Sequence, residues 1–251
     1  MTYIEGFVAP VPAANKEAYR AHSRSAAPLL VELGVARMVE TWGDDVPDGK
    51  VTDFKGAVKA EAGETVVFSW FEYPSKSARN ATNERMMSEP RMHEIGASAP
   101  FDGKRMILGG FEAIVEDGTA PGGYVDGWVV PVLPGKQEAY RAMAAKAAPL
   151  FREHGATRVV EAIADDVPKG EVTDFYRAVK AEEGETVVFS FIEWPDKATR
   201  DEAWGKIMAD ESLRPDGEMP FDGKRMFWGG FDKILDTAQQ PVIQAGAPVT
   251  A

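Results

Sequence analysis

The sequence contains one segment of roughly 110 residues twice, and this repeat limits the possible folds more than any other feature. The heptapeptide Gly63–Ser69 recurs unchanged as Gly184–Ser190, a shift of 121 positions. After a one-residue deletion, Pro100–Met106 recurs as Pro220–Met226. An internal repeat of this kind indicates two copies of one folding unit.

The repeat divides the chain into two domains. We assign residues 1–115 to the first and residues 124–236 to the second. Between them, residues 116–123 read Glu-Asp-Gly-Thr-Ala-Pro-Gly-Gly, a composition typical of linkers. Residues 237–251 are rich in Gln, Pro and Ala and lack hydrophobic periodicity, so we expect a disordered tail.

Each copy shows the order β-α-β-β-α-β, which is the ferredoxin-like plan with predicted strand order 4-1-3-2. A helix is expected to kink or split at Pro28, and Gly109-Gly110 suggests a β-bulge. Residues 52–60 and 64–73 are predicted to form a hairpin around Gly63. The predicted elements of the first copy are strands at Tyr3–Ala9, Ala36–Trp42, Thr52–Ala60, Glu64–Tyr73 and Lys104–Val115, and helices at Asn15–Leu33 and Ser75–Ser88.

The predicted strand Glu64–Tyr73 is apolar on both faces. Helices cover only one face of a ferredoxin-like sheet, so the other face needs a partner. The second copy is the obvious partner. The predicted fold class is therefore α+β, with two ferredoxin-like modules packed sheet to sheet as an intramolecular barrel, a pseudo-dimer. The alternating residues are Val66, Phe68 and Trp70 on one face and Val67, Phe71 and Tyr73 on the other.

Composition excludes several function classes. The net charge of −12, without any basic run, argues against binding to nucleic acid or anionic membranes. Because the chain has no cysteine, disulfides and thiolate chemistry are excluded. The sequence has no run long enough to span a membrane and enters a strand pattern at Tyr3 without a signal-like segment, so we expect a cytoplasmic protein.

Four sequence motifs resemble the YbaA-like family of small bacterial proteins, a domain of unknown function. They are Tyr-Ile-Glu-Gly-Phe-Val at 3–8, Asp-Val-Pro-Asp-Gly-Lys-Val-Thr-Asp-Phe at 45–54, Ala-Val-Lys-Ala-Glu at 57–61 and Pro-Phe-Asp-Gly-Lys-Arg-Met at 100–106. The resemblance spans each copy. It implies a dimeric α+β barrel but brings no established catalytic residues. The departure from the family is the fusion of two copies.

Three charged residues are expected at one edge of the first sheet. If strands one and three run parallel, Glu72 at the end of strand three lies near Arg37 and Arg105 at the starts of strands two and four. The arginines could bind a carboxylate or enolate. Alternatively, the charges form an ion-pair network that links strand ends, which is the interpretation we favour. The second copy repeats the set as Glu193, Arg158 and Arg225.

A histidine on the first helix is the second candidate. His22 lies on the stripe predicted to face the sheet, so Glu5 or Glu40 could pair with it as a general base. Trp42 and Trp70 would form a wall of the same pocket. In the second copy Met143 takes the place of His22, so a smaller or drier cavity is expected there. A structural histidine bonded to a carbonyl or carboxylate is the commoner alternative.

No phosphate loop, Ser/His/Asp order or His-x-x-x-His motif is present, and the aspartates between residues 44 and 53 fit turns rather than a metal loop. We therefore expect no metal or nucleotide cofactor. The favoured function is a small-molecule enzyme or binder with an apolar, aromatic-lined pocket between helices and sheet. By analogy of fold alone, barrels of this type include cofactor-free monooxygenases, isomerases and decarboxylases. The alternative is a non-catalytic ligand-binding or accessory protein whose polar strand residues are structural.

Overall fold

The computed structural model describes residues 2–119, 121–210 and 217–239. The first half consists of β1 (Tyr3–Pro12), α1 (Lys16–Leu33), β2 (Arg37–Asp45), α2 (Phe54–Ala57), β3 (Glu64–Tyr73), α3 (Lys76–Ser88), α4 (Pro90–Ala97) and β4 (Ile107–Gly118). The second half consists of β5 (Tyr124–Val132), α5 (Gln137–Glu153), β6 (Arg158–Asp166), α6 (Phe175–Ala178), β7 (Thr186–Trp194), α7 (Lys197–Ala209) and β8 (Phe227–Asp236).

The local predictions were wrong at two places. The expected strand at Thr52–Ala60 is replaced by the short helix α2, because the Asp53 carboxylate accepts a hydrogen bond from the backbone N–H of Gly56 and caps a helical turn. Helix α4, which begins at Pro90, was not predicted. Helix α1 continues through Pro28 without splitting, since proline removes only one backbone donor there.

The boundaries of the predicted linker and tail also shift. Strand β4 extends to Gly118, so the first three residues of the predicted linker belong to a strand. Residues 237–239 form a turn after β8. The remainder of the predicted tail, residues 240–251, lies outside the described residues.

The eight strands form one closed antiparallel barrel in the order β1-β3-β2-β8-β5-β7-β6-β4. Within each half the strand order is the predicted one, and the halves join edge to edge through β2–β8 and β4–β6. The fold is therefore α+β with a barrel closed inside a single chain. The expectation that β1 and β3 are parallel was wrong, because the pair is antiparallel. A register shift after Gly110 confirms the predicted bulge.

Aromatic rings from equivalent positions of the two halves meet inside the barrel. Phe68 stacks on Phe189 at 4.3 Å, and Trp70 stacks on Phe191 at 4.1 Å between ring centroids. Gly6 in β1 has no side chain where a Cβ would lie 2.8 Å from the Phe189 ring. Glycine is required there because the ring lies against the backbone. The predicted apolar inner face is thus confirmed.

The helices cover the outer face of the barrel. Helix α1 packs on β2 and β8, whereas α3 packs on β1 and β3. Helix α5 packs on β4 and β6, and α7 on β7. The space between these helices and the barrel is where side chains of the outer face can line a pocket.

Across the described ranges, the helices are all too short or too polar to cross a bilayer.

Candidate functional site

A pocket of about 750 Å³ opens between α5, α7 and the outer face of β5, β6 and β7. We call it the α5 pocket. The side of the pocket formed by α5 carries small residues, so the helix leaves room above the sheet. Its lining consists of Trp128, Val130, Ala139, Tyr140, Ala142, Met143, Ala144, Lys146, Ala147, Leu150, Phe151, Glu161, Ser190, Ile192, Trp204, Glu218, Met219, Pro220, Phe221 and Met226.

Aromatic side chains form the walls of the α5 pocket. The Trp128 and Trp204 rings lie 6.0 Å apart, and Phe151 lies 5.5 Å from Trp204. The Trp204 indole N–H donates to Asp126 at 2.8 Å, which fixes the orientation of that ring. The pocket therefore presents rigid π-faces to whatever enters it.

The polar group of the α5 pocket is the Glu161 carboxyl. It accepts a hydrogen bond from the Tyr140 hydroxyl at 2.8 Å, and Ser190 lines the pocket beside it. Burial raises the pKa of Glu161 to about 7, although the polar Tyr140 and Ser190 side chains favour its ionised form. Neither partner is positively charged, and within the described ranges no Lys or Arg forms an ion pair with Glu161. Such a carboxyl can take up or release a proton near neutral pH.

The first half contains the same polar group in a closed setting. The Glu40 carboxylate accepts hydrogen bonds from Tyr19 and Ser69, both at 2.6 Å. Glu40 is only 6% exposed, and burial raises its pKa. Above it, Trp42 packs 6.1 Å from the Tyr19 ring, and Phe101 packs 5.7 Å from the same ring. In the second half the equivalent of Phe101, Phe221, lines the α5 pocket.

The sequence analysis placed the pocket in the first half, beside His22, whereas the α5 pocket lies in the second half. The ring that packs on Tyr19 is that of Trp42, whose equivalent is Ile163, and His22 is replaced by Met143. Met143 was expected to fill the second cavity, but it forms part of the wall of the α5 pocket.

The expected histidine–carboxylate pair is not formed. The Glu5 carboxylate accepts hydrogen bonds from Asn83 at 2.9 Å and Tyr73 at 3.3 Å. Glu5 lies on β1 below α3, while His22 is on α1, which packs on β2 and β8. His22 is half-buried, and burial lowers its pKa. The prediction placed α1 over the wrong strand.

Neither predicted tryptophan lies in the α5 pocket. Trp42 is packed at 6% exposure beside Tyr19. Trp70 is fully buried inside the barrel, where its indole N–H donates to the Glu72 carboxylate at 2.9 Å. The two residues stabilise the two sides of the sheet.

A charge cluster closes one end of the barrel. Arg37 donates to the carboxylates of Glu72 at 2.9 Å, Glu193 at 2.8 Å and Asp236 at 2.7 Å. Its equivalent Arg158 donates to Glu72 at 2.6 Å. Each arginine thus bonds a glutamate of the other half, so the network interpretation accounts for these residues. The cluster is completed by Glu116 and Lys233.

Arg105 is not part of this cluster, which corrects the prediction. Its guanidinium pairs with Glu64 at 2.7 Å and Asp102 at 2.8 Å. The reason is the antiparallel pairing of β1 and β3, which puts the start of β4 and the end of β3 at opposite ends of the barrel. Arg225 repeats this arrangement with Glu185 at 2.6 Å in the second half.

A second cavity, of about 420 Å³, lies between the loops around α2 and α6. Two of the basic residues that line it already have partners within the protein. Arg177 pairs with Asp174 at 2.7 Å, and the Lys180 ammonium donates to the Val51 carbonyl at 2.6 Å. The α5 pocket therefore remains the stronger candidate, because it combines apolar walls with an ionisable group.

The sequence held a signal for this site that the motif search missed. Tyr19, Glu40 and Ser69 recur at the same spacing as Tyr140, Glu161 and Ser190. A polar trio kept in both copies on an apolar layer must be hydrogen-bonded internally. Only Glu40 of these six was singled out, because it was considered as a partner for His22.

Comparisons with known proteins agree with the repeat. The family model described as "Protein of unknown function (DUF1428)" matches residues 2–103 and again residues 123–223. The uncharacterized protein YbaA of Escherichia coli K12 is 62% identical over 117 residues, which are 47% of this chain and 100% of that protein. A protein of the same name from Shigella flexneri matches with the same figures.

Two solved structures are similar in fold. A provisionally assigned monooxygenase from Fusobacterium nucleatum aligns with a TM-score of 0.58 at 9% identity, over 94% of this chain and 93% of that chain. Another from Lactobacillus acidophilus aligns with a TM-score of 0.56 at 9% identity, over 94% of this chain and 95% of that chain. At this identity the likeness concerns the fold alone.

Proposed function

Since the chain belongs in both halves to the DUF1428 family, whose function is unknown, we propose a function from its own pocket. The second half binds a small, largely apolar molecule in the α5 pocket, and Glu161 exchanges a proton with that molecule. The observation that carries this proposal is an ionisable carboxyl lining an aromatic cavity without a positively charged partner among the described residues.

The size and lining of the α5 pocket support ligand binding. Its volume of about 750 Å³ lies within the range of pockets that hold small molecules. Most of its lining is apolar or aromatic, and the few polar groups converge at Tyr140, Glu161 and Ser190. This combination orients a ligand through one end and binds the rest by burial of apolar surface.

The pKa of about 7 at Glu161 supports an enzymatic role over simple binding. A general base works best when its pKa lies near the working pH. Tyr140 would hold the carboxyl in position, since its own proton is retained: burial and the neighbouring Glu161 raise the pKa of Tyr140 well above its usual value. A non-catalytic binder would use the same pocket but would not need this pKa.

We also infer that residues 1–115 and 124–236 are two ferredoxin-like modules. The support is that each half repeats the order β-α-β-β-α-β around its short extra helices, with its strands in the order 4-1-3-2. In each module the pocket space lies between the first helix and the sheet. The likeness to proteins named as monooxygenases agrees with a fold that hosts small-molecule chemistry.

The binding part of the proposal is tested with the neutral fluorescent probe N-phenyl-1-naphthylamine. Excitation of Trp128 and Trp204, which line the pocket, should sensitise the emission of bound probe. Ala147→Phe places a ring inside the pocket and should weaken probe binding at least tenfold. Ala145→Phe on the exposed side of the same helix is the matched control and should change nothing. Equal binding by parent and Ala147→Phe would refute the assignment of the pocket.

The proton-exchange part is tested by carboxyl ¹³C NMR. One glutamate should titrate near pH 7, and Glu161→Gln should remove its signal. Glu40→Gln removes the sealed equivalent and should leave that titration in place. Assignment of Glu161 to a pKa of about 4.5 would refute this role. Native mass spectrometry of freshly purified protein would then search for a bound small molecule.

A further inference from the structure

We propose that the α5 pocket selects molecules that carry a protonated amine on an apolar body. This inference rests on the proposed function and names its ligand class. The chemistry on the pocket surface is a carboxyl that lacks a cation, surrounded by aromatic faces. A ligand ammonium would complete both features.

The first argument for an amine ligand is that other buried carboxylates of this protein are paired with arginines. Asp126 pairs with Arg200 at 2.8 Å, Glu72 with Arg158 at 2.6 Å and Glu193 with Arg37 at 2.8 Å. Charges withdrawn from water are normally paired in this way. Glu161 accepts a hydrogen bond from the Tyr140 hydroxyl and has no positively charged partner among the described residues, yet it lines an open cavity. We therefore expect the ligand to supply the positive charge that pairs with the Glu161 carboxylate.

Glu40 provides the internal comparison. It accepts hydrogen bonds from the equivalent tyrosine and from Ser69 and also lacks a cation in the described part of the chain, but it is sealed at 6% exposure. Burial raises the pKa of Glu40 and so disfavours its charged form. At Glu161, which lines an open cavity, an entering cation can pair with the carboxylate.

The second argument for an amine ligand is the aromatic lining of the α5 pocket. Trp128, Trp204, Tyr140 and Phe151 all line the pocket. The negative face of an aromatic ring attracts ammonium groups, and tryptophan does so most strongly. A set of rings beside a carboxylate is the arrangement that recognises organic cations. Neutral apolar ligands would use the rings but would leave the carboxylate without a partner.

Charges at the rim are less decisive. Lys146 and Glu218 both line the mouth of the pocket and are exposed to solvent, so their fields are screened and of opposite sign. The net charge of −12 attracts cations to the protein as a whole. An anionic ligand would meet Glu161 at the inner end of the pocket, where no basic residue of the described ranges compensates for it.

The affinity for an amine ligand should fall both at low and at high pH. Below the pKa of Glu161 the carboxyl is protonated, and affinity for an ammonium falls. Above the pKa of the ligand amine the ligand loses its charge, and affinity falls again. The groups that face Glu161 are Tyr140 from α5 and Ser190 from β7, with Lys146 and Glu218 farther out at the rim.

The test compares three ligands of nearly equal shape by calorimetry at pH 8: 2-(1-naphthyl)ethylamine, 2-(1-naphthyl)ethanol and 3-(1-naphthyl)propionate. We expect the amine to bind at least tenfold more tightly than the alcohol, and the propionate to bind most weakly. Glu161→Gln should abolish the preference for the amine while changing the affinity for the alcohol by less than about twofold. Glu40→Gln, in the sealed trio, should leave the preference intact.

A second variant keeps the test informative if Glu161→Gln fails to fold. Trp128→Leu should weaken binding of the amine more than binding of the alcohol, since it removes a π-face. Equal affinity of the parent for amine and alcohol would overturn the amine selectivity and leave the pocket assignment standing. Failure of all three ligands to bind would overturn the proposed function as well.

Discussion

If Trp42 and Ile163 are swapped between the halves, the open pocket should move from the second half to the first. These residues occupy equivalent positions on β2 and β6, two residues after Glu40 and Glu161. Trp42 covers Tyr19 in the first half, whereas the space beside Tyr140 is open in the second. Trp42→Ile should therefore open a pocket beside Glu40, and Ile163→Trp should close the α5 pocket.

The cost of Trp42→Ile follows from the burial of the indole. Trp42 is only 6% exposed, so nearly the whole side chain is removed from water. Isoleucine buries roughly 80 Å² less, worth about 2 kcal/mol at ~25 cal/mol/Å². An unfilled cavity adds about 1–2 kcal/mol. At ~2–4 °C per kcal/mol for a chain of this size, the Tm should fall by on the order of 10 °C.

Ile163→Trp should behave in the opposite way. Ile163 packs in the same cluster as Tyr140 and Phe221, which line the α5 pocket, so we expect the larger indole to extend into that cavity and the Tm to stay constant or rise. Calorimetry gives the Tm of each variant, and titration with N-phenyl-1-naphthylamine gives the number of sites. We expect one site in the parent, two after Trp42→Ile and none after Ile163→Trp. An unchanged Tm and a single site after Trp42→Ile would show that this indole does not close the first half.

Two further predictions concern the barrel itself. Gly127→Ala should cost about 1–3 kcal/mol in urea unfolding, because a Cβ there would lie 2.9 Å from the Phe68 ring, whereas Gly205→Ala in open space on α7 should cost nothing or stabilise. Burial alone would raise the pKa of Glu193, but Arg37 and Lys233 lower it to about 2. The stability that this provides is present above pH 4.5 and is lost as pH falls towards 2. A Glu193→Gln variant should therefore show a flatter loss of stability in acid than the exposed control Glu153→Gln, and parallel curves would contradict the role of this pairing.

Much of the fold could be predicted because the responsible signals are local or periodic. The alternation of Phe68 and Trp70 with Val67 and Tyr73 acts within a few residues, and the repeat is a period of 121 residues visible in the sequence itself. The closed barrel then follows, since a sheet that is apolar on both faces needs a second apolar sheet. The charge pair of Arg37 and Glu72 was also predicted, because it depends only on the pairing of β2 with β3.

The candidate site could not be predicted in the same way. Its position depends on which strand lies below each helix: the assumed direction of β1 against β3 misplaced Arg105, and the assumed position of α1 over β1 misplaced His22. Whether a space is open depends on the volumes of the side chains around it, which differ between the halves at positions such as Trp42 and Ile163. Such volumes add up across elements far apart in sequence, so no single motif reports them.

The fusion of the two halves changes what mutation can achieve. In a barrel built from two identical chains, every substitution is made twice, so an indole that seals one cavity seals the other as well. With both halves encoded in one chain, Trp42 can stand opposite Ile163, and a single barrel can keep one sealed half beside one open half. The sealed half then serves only to complete the barrel and does not need to accommodate a ligand. Because the two copies are encoded separately within one gene, they can diverge, which is impossible for two identical chains in a symmetric dimer.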